Sequence, residues 1–380
     1  MIKNLIPFYQ PKENIIEKSK DCYVYDSEGK KYIDFEAGVW CANVGHNNNR
    51  LISVMEKQLK DCIHHGYNFR NRFSEQLANK LNEKIGFDGG QSVFLSSGSE
   101  AVNLAATISR HLTGKEKILK IDNSFLSAYG YGQISKENYH KIDIQYNSID
   151  SISKINFNEV AGFILETGGA SVDVVKFPDF EFVQILIREA RKHETLIIVD
   201  EVTTGFGRTG KWFGFMHYNI IPDIVVTAKG LGNGYPISGV SISSDITKKL
   251  YERPLNYLQS HINDPLGCAI SIEVMNIIDD ENLIEKSRAT GEYFKNRLDF
   301  LAEKFPDKIS EVRARGLILA IEFSKQTNGS QINKELFERG LVVGFKSNVI
   351  RLMPPLTIKS SDIDELIEAL TEILAKTYIF

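Results

Sequence analysis

At 380 residues the chain exceeds what one hydrophobic core usually serves, so two domains are expected. A composition of 42% hydrophobic and 25% charged residues is that of an ordinary enzyme, and a formal charge of -4 gives no electrostatic reason to expect nucleic acid or an anionic membrane as partner. Lys3, Asn4, Pro7 and Lys12 break the apolar residues at the start, against a signal peptide, and no apolar run approaches the roughly 18 residues of a membrane helix.

In chain order, the first predicted element is a hairpin in "CYVYDSEGKKYIDF", turning at Ser27-Glu28-Gly29. From Gln91 onward, short β-rich runs alternate with amphipathic stretches: "SVFLSS" leads into the helix "SEAVNLAATISRHL", "KILKI" follows, and "VAGFILE" precedes the helix "FEFVQILIREARKHE". The strands "TLIIVD", "DIVVTAK" and "SGVSIS" come next. Continuous apolar strands between helices predict an α/β fold, a mostly parallel central sheet covered on both faces. After Pro265 comes one long helical region, "CAISIEVMNIIDDENLIEKSRATGEYFKNRLDFLAEKF", then the strands "LILAIEFS", "GLVVGFK" and "VIRLMPPLTI". A last helix, "SDIDELIEALTEILAKTY", has Ser361 as its expected N-cap. The expected domains are a large α/β domain over 45-255 and a smaller α+β domain from 1-44 and 256-380.

Cys22, Cys41, Cys62 and Cys268 form no C-x-x-C pair and no finger spacing with histidine, so reduced thiols of a cytoplasmic protein are expected, and no metal site.

The stretch "IIVDEVTTGFGRTGKW" contains G-x-x-x-x-G-K, most of a nucleotide-binding P-loop, from Gly205 to Lys211. A working P-loop next needs a Ser or Thr hydroxyl for magnesium, and Trp212 stands there. Asp200 carries more: it ends an apolar strand, so its carboxylate belongs at the carboxyl edge of the sheet, where open α/β folds bind ligands. Lys229 ends the next strand-like run and would project into the same crevice. A third piece, Ser96-Ser97-Gly98-Ser99 between strand and helix, offers free amides to a dianion, although a capping box from Ser97 to Glu100 explains it equally well. Anion cradle, acid and lysine are together what pyridoxal 5'-phosphate needs: an anchor for its phosphate, a carboxylate on its ring nitrogen and an amine for its aldehyde.

The blocks "LSSGSEAVNLAA", "LIIVDEVTTGFGRTGKWFGFMHY", "PDIVVTAKGLGNGYPISGV" and "SHINDPLGCAIS" resemble the class III aminotransferases of the acetylornithine, ornithine and omega-amino acid type, pyridoxal-phosphate enzymes of fold type I. The resemblance runs from about Tyr23 to the final helix. It implies a homodimer with shared active sites in which Lys229 forms the Schiff base and moves the proton, and Asp200 binds the ring nitrogen. It further implies that Val202 and Phe125 flank the ring and that Gly98 and Ser99 hold the phosphate. Thr203 stands where the family often has a Gln near the ring oxygen, and Glu166 matches an acid near the cofactor. Ser260 matches a hydroxyl that reaches the neighbouring subunit's phosphate.

The departures concern the substrate. Ala128 occupies the place of an arginine that binds the α-carboxylate in the acetylornithine and ornithine branches. Ser171 stands where ornithine and 4-aminobutyrate enzymes have a glutamate paired with the arginine matching Arg351. Arg351 is therefore expected to be free for a carboxylate, with Trp40 lining the substrate pocket and Cys41 a second candidate there. Tyr67, Arg70 and Arg72 are read as solvated or interface groups, and His64 and His65 as structural. The expected activity is transfer of an amino group from an omega-amino acid or amine to a 2-oxo acid such as 2-oxoglutarate or pyruvate. An aminomutase, racemase or decarboxylase of the same fold is the alternative, and a nucleotide-binding protein the distant one.

Overall fold

The computed structural model describes residues 6, 8, 11–132, 140–168 and 175–376. Its centre is a seven-stranded sheet in the order Gln91–Leu95, Ser238–Ile242, Ile224–Thr227, Leu196–Asp200, Val160–Glu166, Lys117–Ile121, Lys141–Ile144. Only Ser238–Ile242 runs antiparallel to its neighbours. The interior strands Val160–Glu166, Leu196–Asp200 and Ile224–Thr227 are buried at every position, which is why they read as unbroken apolar runs.

Successive side chains of these strands enter different cores, as the pleat requires. Ile118, Ile164, Ile198 and Val226 pack with Ala101, Val102 and Ala105 of the helix Gly98–Thr113. Leu119, Phe163, Leu165, Ile197 and Val199 pack with Phe182, Val183 and Leu186 of the helix Phe180–Lys192. Each such Leu, Ile, Val or Phe contributes about 1.5–3 kcal/mol by leaving water, so the sheet is held from both sides.

The hairpin forms as Tyr23–Asp26 and Lys31–Asp34, with Gly29 at φ +81° in the turn where a side chain would be strained. It belongs to a four-stranded sheet with Ile16–Lys20 and Leu341–Val342, and so joins the C-terminal part of the chain. A second four-stranded sheet, antiparallel throughout, orders Ile309–Arg315, Ile318–Phe323, Val349–Leu352 and Gly344–Lys346. Among the described residues no helix is long and apolar enough to cross a membrane.

Three expectations change. The run "GLVVGFK" is two short strands in different sheets. The long helical region is two helices, Pro265–Asp280 and Leu283–Lys304, parted where Asn282 turns left-handed at φ +51°. The final helix starts at Ser360, so Ser361 lies inside its first turn and is not the cap; instead the Asp362 carboxylate accepts the Lys359 N–H at 3.4 Å.

Candidate active site

Six parallel strands ending at one edge bring distant residues together. Glu166 and Asp200 are the last residues of neighbouring strands and lie in register. Lys229 follows the strand Ile224–Thr227, and Ser96–Ser99 follow Gln91–Leu95. Gly98, Ser99, Phe125, Asp200, Val202, Thr203 and Lys229 accordingly line one cavity of about 250 Å³, together with Cys41, Leu126 and Tyr235.

One wall of the cavity is a helix start, whose free N–H groups carry the positive end of the helix dipole. Ser97 caps Gly98–Thr113, its hydroxyl accepting the Glu100 N–H at 3.2 Å. The reciprocal half of a capping box is displaced, because Glu100 Oε2 accepts from Ser96 N at 3.1 Å rather than from the cap. A side chain at Gly98 would crowd its neighbours: a Cβ would stand 3.2 Å from Val202 and 3.3 Å from Ala228. Ser99 Oγ accepts the Ala128 N–H at 2.9 Å, which ties the helix start to the loop carrying Phe125.

The acids sit deep. Asp200 is 4% exposed; its Oδ1 accepts the Val202 N–H at 2.9 Å, and among the described residues no hydrogen bond reaches Oδ2. Burial pushes its carboxyl up to about 7, against the Val202 N–H and Lys229. Burial and then the Asp200 charge push Glu166 up to about 8. Burial lowers the Lys229 ammonium, opposed by Cys41, Asp200 and Glu166. Its Nζ donates to Thr203 Oγ1 at 3.1 Å, and its backbone is held at φ +44°.

Trp40 is not among the residues lining this cavity but reaches Lys229 through an unusual backbone. Ala37, Gly38, Val39 and Trp40 have φ of 47°, 59°, 61° and 66°, a left-handed turn that costs L-residues about 1–2 kcal/mol each. The buried Asp34 carboxylate holds it by accepting the Glu36 N–H at 2.9 Å and the Gly38 N–H at 2.8 Å. His46 Nε2 lies 2.8 Å from the same carboxylate. The turn sets the indole 4.4 Å from Lys229 Nζ and 5.1 Å from Arg351 Cζ, each measured to the ring centroid.

Arg351 is not free as the sequence suggested. Its Nη2 lies 3.9 Å from Glu36 Oε2, while Glu36 Oε1 accepts from Trp40 Nε1 at 3.2 Å. Burial raises the Glu36 carboxyl above its ordinary range, with Arg351 and Trp40 opposing. Glu36 is the side chain at this place that the sequence did not announce, since only Gly38 in "EAGVW" hints at an unusual turn. Ser171 lies outside the described residues. Ser260 is exposed and does not line this cavity.

The P-loop reading fails on geometry. The segment after Lys211 is the four-residue 3-10 turn Gly214–His217 rather than an α-helix, and Lys211 Nζ donates to Met216 O at 2.9 Å. Arg208 of the same loop is fully buried, its guanidinium on Asn43 Oδ1 at 2.8 Å and on the carbonyls of Leu317 and Pro354.

Comparison with known proteins places this geometry among relatives. A family model described as Aminotransferase class-III matches residues 8–128 and 126–374. An acetylornithine aminotransferase of Archaeoglobus fulgidus is 32% identical over 96% of this chain and 97% of its own length. A [LysW]-aminoadipate semialdehyde/glutamate semialdehyde transaminase of Sulfolobus acidocaldarius is 30% identical over 98% of this chain and 97% of its own. Among solved structures, an acetylornithine aminotransferase from Elizabethkingia anophelis superposes with a TM-score of 0.87 at 26% identity, covering 98% of this chain and 96% of that one.

Proposed function

The chain belongs to the class III aminotransferases, and from that premise we propose how its own residues divide the work of moving an amino group to a 2-oxo acid. The donor set fits pyridoxal phosphate: a buried carboxylate with one oxygen lacking a donor among the described residues, a lysine, and helix-start amides on one cavity. When bound, that cofactor supplies an aldehyde for amines and a protonated ring that accepts the electron pair released at the substrate carbon.

Asp200 would hold the ring nitrogen, a cationic partner that would restore the ionised carboxylate burial disfavours. Gly98 and Ser99 would hold the phosphate, with Val202 and Phe125 beside the ring. Glu166 and Thr203 would complete the shell. Lys229 Nζ, with its basicity lowered by burial, would take the proton from the donor carbon and return one to the acceptor carbon. Thr203 Oγ1, at 3.1 Å, would fix the direction of the amine between these transfers. Arg351 would bind the 2-oxo acid's carboxylate in bidentate fashion above Trp40, displacing Glu36. We read the acceptor as 2-oxoglutarate or pyruvate and the donor as an omega-amino acid or amine; the semialdehyde and acetylornithine names of the relatives support an amine remote from a carboxylate.

The observation that carries the reading is Lys229 and Asp200 on one cavity with the helix-start amides. It is tested by mixing the purified protein with an amino donor and no acceptor. One equivalent of oxo product per site is expected. Turnover beyond one equivalent, or carbon dioxide release, would turn the reading to the racemase or decarboxylase alternative. Lys229→Ala should lower the rate of that half-reaction by roughly 10²–10⁴-fold.

The two-part division, 45-255 against 1-44 with 256-380, is kept as a proposal, as are a cytoplasmic location and a homodimer in which Ser260 reaches the partner's site. Exposed Leu59, Ile63, Tyr67, Phe69, Tyr129 and Leu258 support a covered surface. Sedimentation equilibrium should give twice the chain mass; a monomer with full activity would remove the shared site.

A further inference from the structure

Outside the catalytic cavity, one side-chain cluster has the make-up of a ligand set. His64, His261 and Asp264 each offer a ligating atom, and these atoms lie within 4.8 Å of one another. Asp264 takes one imidazole on each oxygen, His64 Nδ1 at 2.6 Å from Oδ1 and His261 Nδ1 at 2.6 Å from Oδ2. The ring centroids are 4.6 Å apart. The carboxylate is the sheltered member, with 17% of its side chain exposed against 40% and 60% for the imidazoles.

We infer that these three side chains form a binding site for a borderline divalent cation such as zinc, cobalt or nickel. Two imidazoles and one carboxylate are a ligand combination these ions take, whereas calcium and magnesium require a shell of oxygens. Tetrahedral bonds of about 2.0–2.2 Å set ligand atoms roughly 3.3–3.6 Å apart. The nitrogen–oxygen contacts of 2.6 Å therefore need to open by about 1 Å or less, and the widest pair, within 4.8 Å, to close, both by rotation of the half-exposed imidazoles. The backbone around them is already fixed. Asn263 N donates to Phe94 O and Phe94 N to Asn263 Oδ1, both at 2.9 Å. Asn71 Nδ2 donates to Asn263 O at 2.8 Å, joining the segment of His64 to that of His261 and Asp264. The competing arrangement is a plain hydrogen-bonded triad with hydrogen on both Nδ1 atoms, which takes up no ion.

The site would act as a clamp, not a catalyst. A cavity of about 250 Å³ lined by His261 and Asp264 shares Ser96, Tyr235, Pro236 and Ile237 with the catalytic cavity. Asp264 sits at the start of the helix Pro265–Asp280, and Ser260 immediately precedes His261. A bound ion would hold the loop of Ser260 against the segment of His64. The sequence offers no local spacing to read here, because His64 and Asp264 are 200 positions apart.

The test uses holoenzyme dialysed against chelator in phosphate-free buffer, titrated with Zn²⁺ by calorimetry and with Co²⁺ by visible absorbance. One ion per chain is expected, with Co²⁺ bands of tetrahedral nitrogen–oxygen coordination. His64→Gln and His261→Gln should each weaken binding at least tenfold, and Asp264→Asn, which keeps an acceptor at the helix start, should do the same. Substoichiometric uptake, or affinity unchanged in the histidine variants, would overturn the site. Circular dichroism checks folding; should one variant fail to fold, the other half-exposed histidine decides alone.

Discussion

At the scale of single residues, the paired acids Glu166 and Asp200 make the cofactor-free protein sensitive to alkali. Free carboxyls titrate near 4, so between about pH 4.5 and 7 the folded chain, with groups pushed up to about 8 and about 7, holds protons that the unfolded chain has lost. That stability is present at low pH and disappears as pH rises through the folded values. Glu166→Gln should flatten the slope by about 1.4 kcal/mol per pH unit in this window, measured by urea unfolding at three pH values. An unchanged slope would reject burial as the cause. Glu36 is the other telling residue. Glu36→Gln keeps an oxygen for Trp40 Nε1 but removes the charge facing Arg351. The KM for a dicarboxylate acceptor should fall roughly tenfold, about 1.4 kcal/mol, while kcat with the donor changes little. A raised KM would mean that Glu36 supports Arg351 rather than competing for it.

At the scale of elements, the helix Leu283–Lys304 shows how packing overrides propensity. Gly291 lies mid-helix, where alanine is ordinarily better by about 1 kcal/mol. Here a Cβ would stand 2.3 Å from the carbonyl oxygen of Gly316 and 2.5 Å from its carbon, both main-chain atoms that cannot swing aside. Gly291→Ala should therefore destabilise the protein by roughly 1–3 kcal/mol, read as a lowered thermal midpoint. A gain in stability would show that the helix can shift outward. The left-handed turn of Ala37–Trp40 is a similar case: its hydrogen bonds to Asp34 hold a backbone that local preference disfavours, and they thereby fix the indole beside Lys229.

At the scale of the molecule, Arg208 ties the sheet's active-site loop to the C-terminal part. Fully buried and, among the described residues, paired with no carboxylate, its guanidinium is lowered to about 9 by that burial, and it serves Asn43, Leu317 and Pro354, which lie far apart in the chain. Arg208→Ala would strand these acceptors at about 1–3 kcal/mol each before relaxation, so a loss of about 2–4 kcal/mol is expected in denaturant melts. A loss below about 1 kcal/mol would mean that water takes the guanidinium's place.

The chain itself determined the alternation of apolar strands and helices, the strand-end position of Asp200 and the helix start at Ser97–Ser99, because these depend on local pattern and short spacing; Lys229, expected to end its strand, opens the short turn after it, since the strand stops at Thr227. Lys117–Ile121 and Val160–Glu166 match their predicted runs residue for residue. The family blocks around them were equally legible. Tertiary structure alone decided what faces Arg351, how Trp40 reaches Lys229, and that His64 meets Asp264. Those contacts join residues tens to hundreds of positions apart, or rest on a left-handed turn, and a side chain's partner across such distances is set by how the sheets pack rather than by any neighbour in the chain.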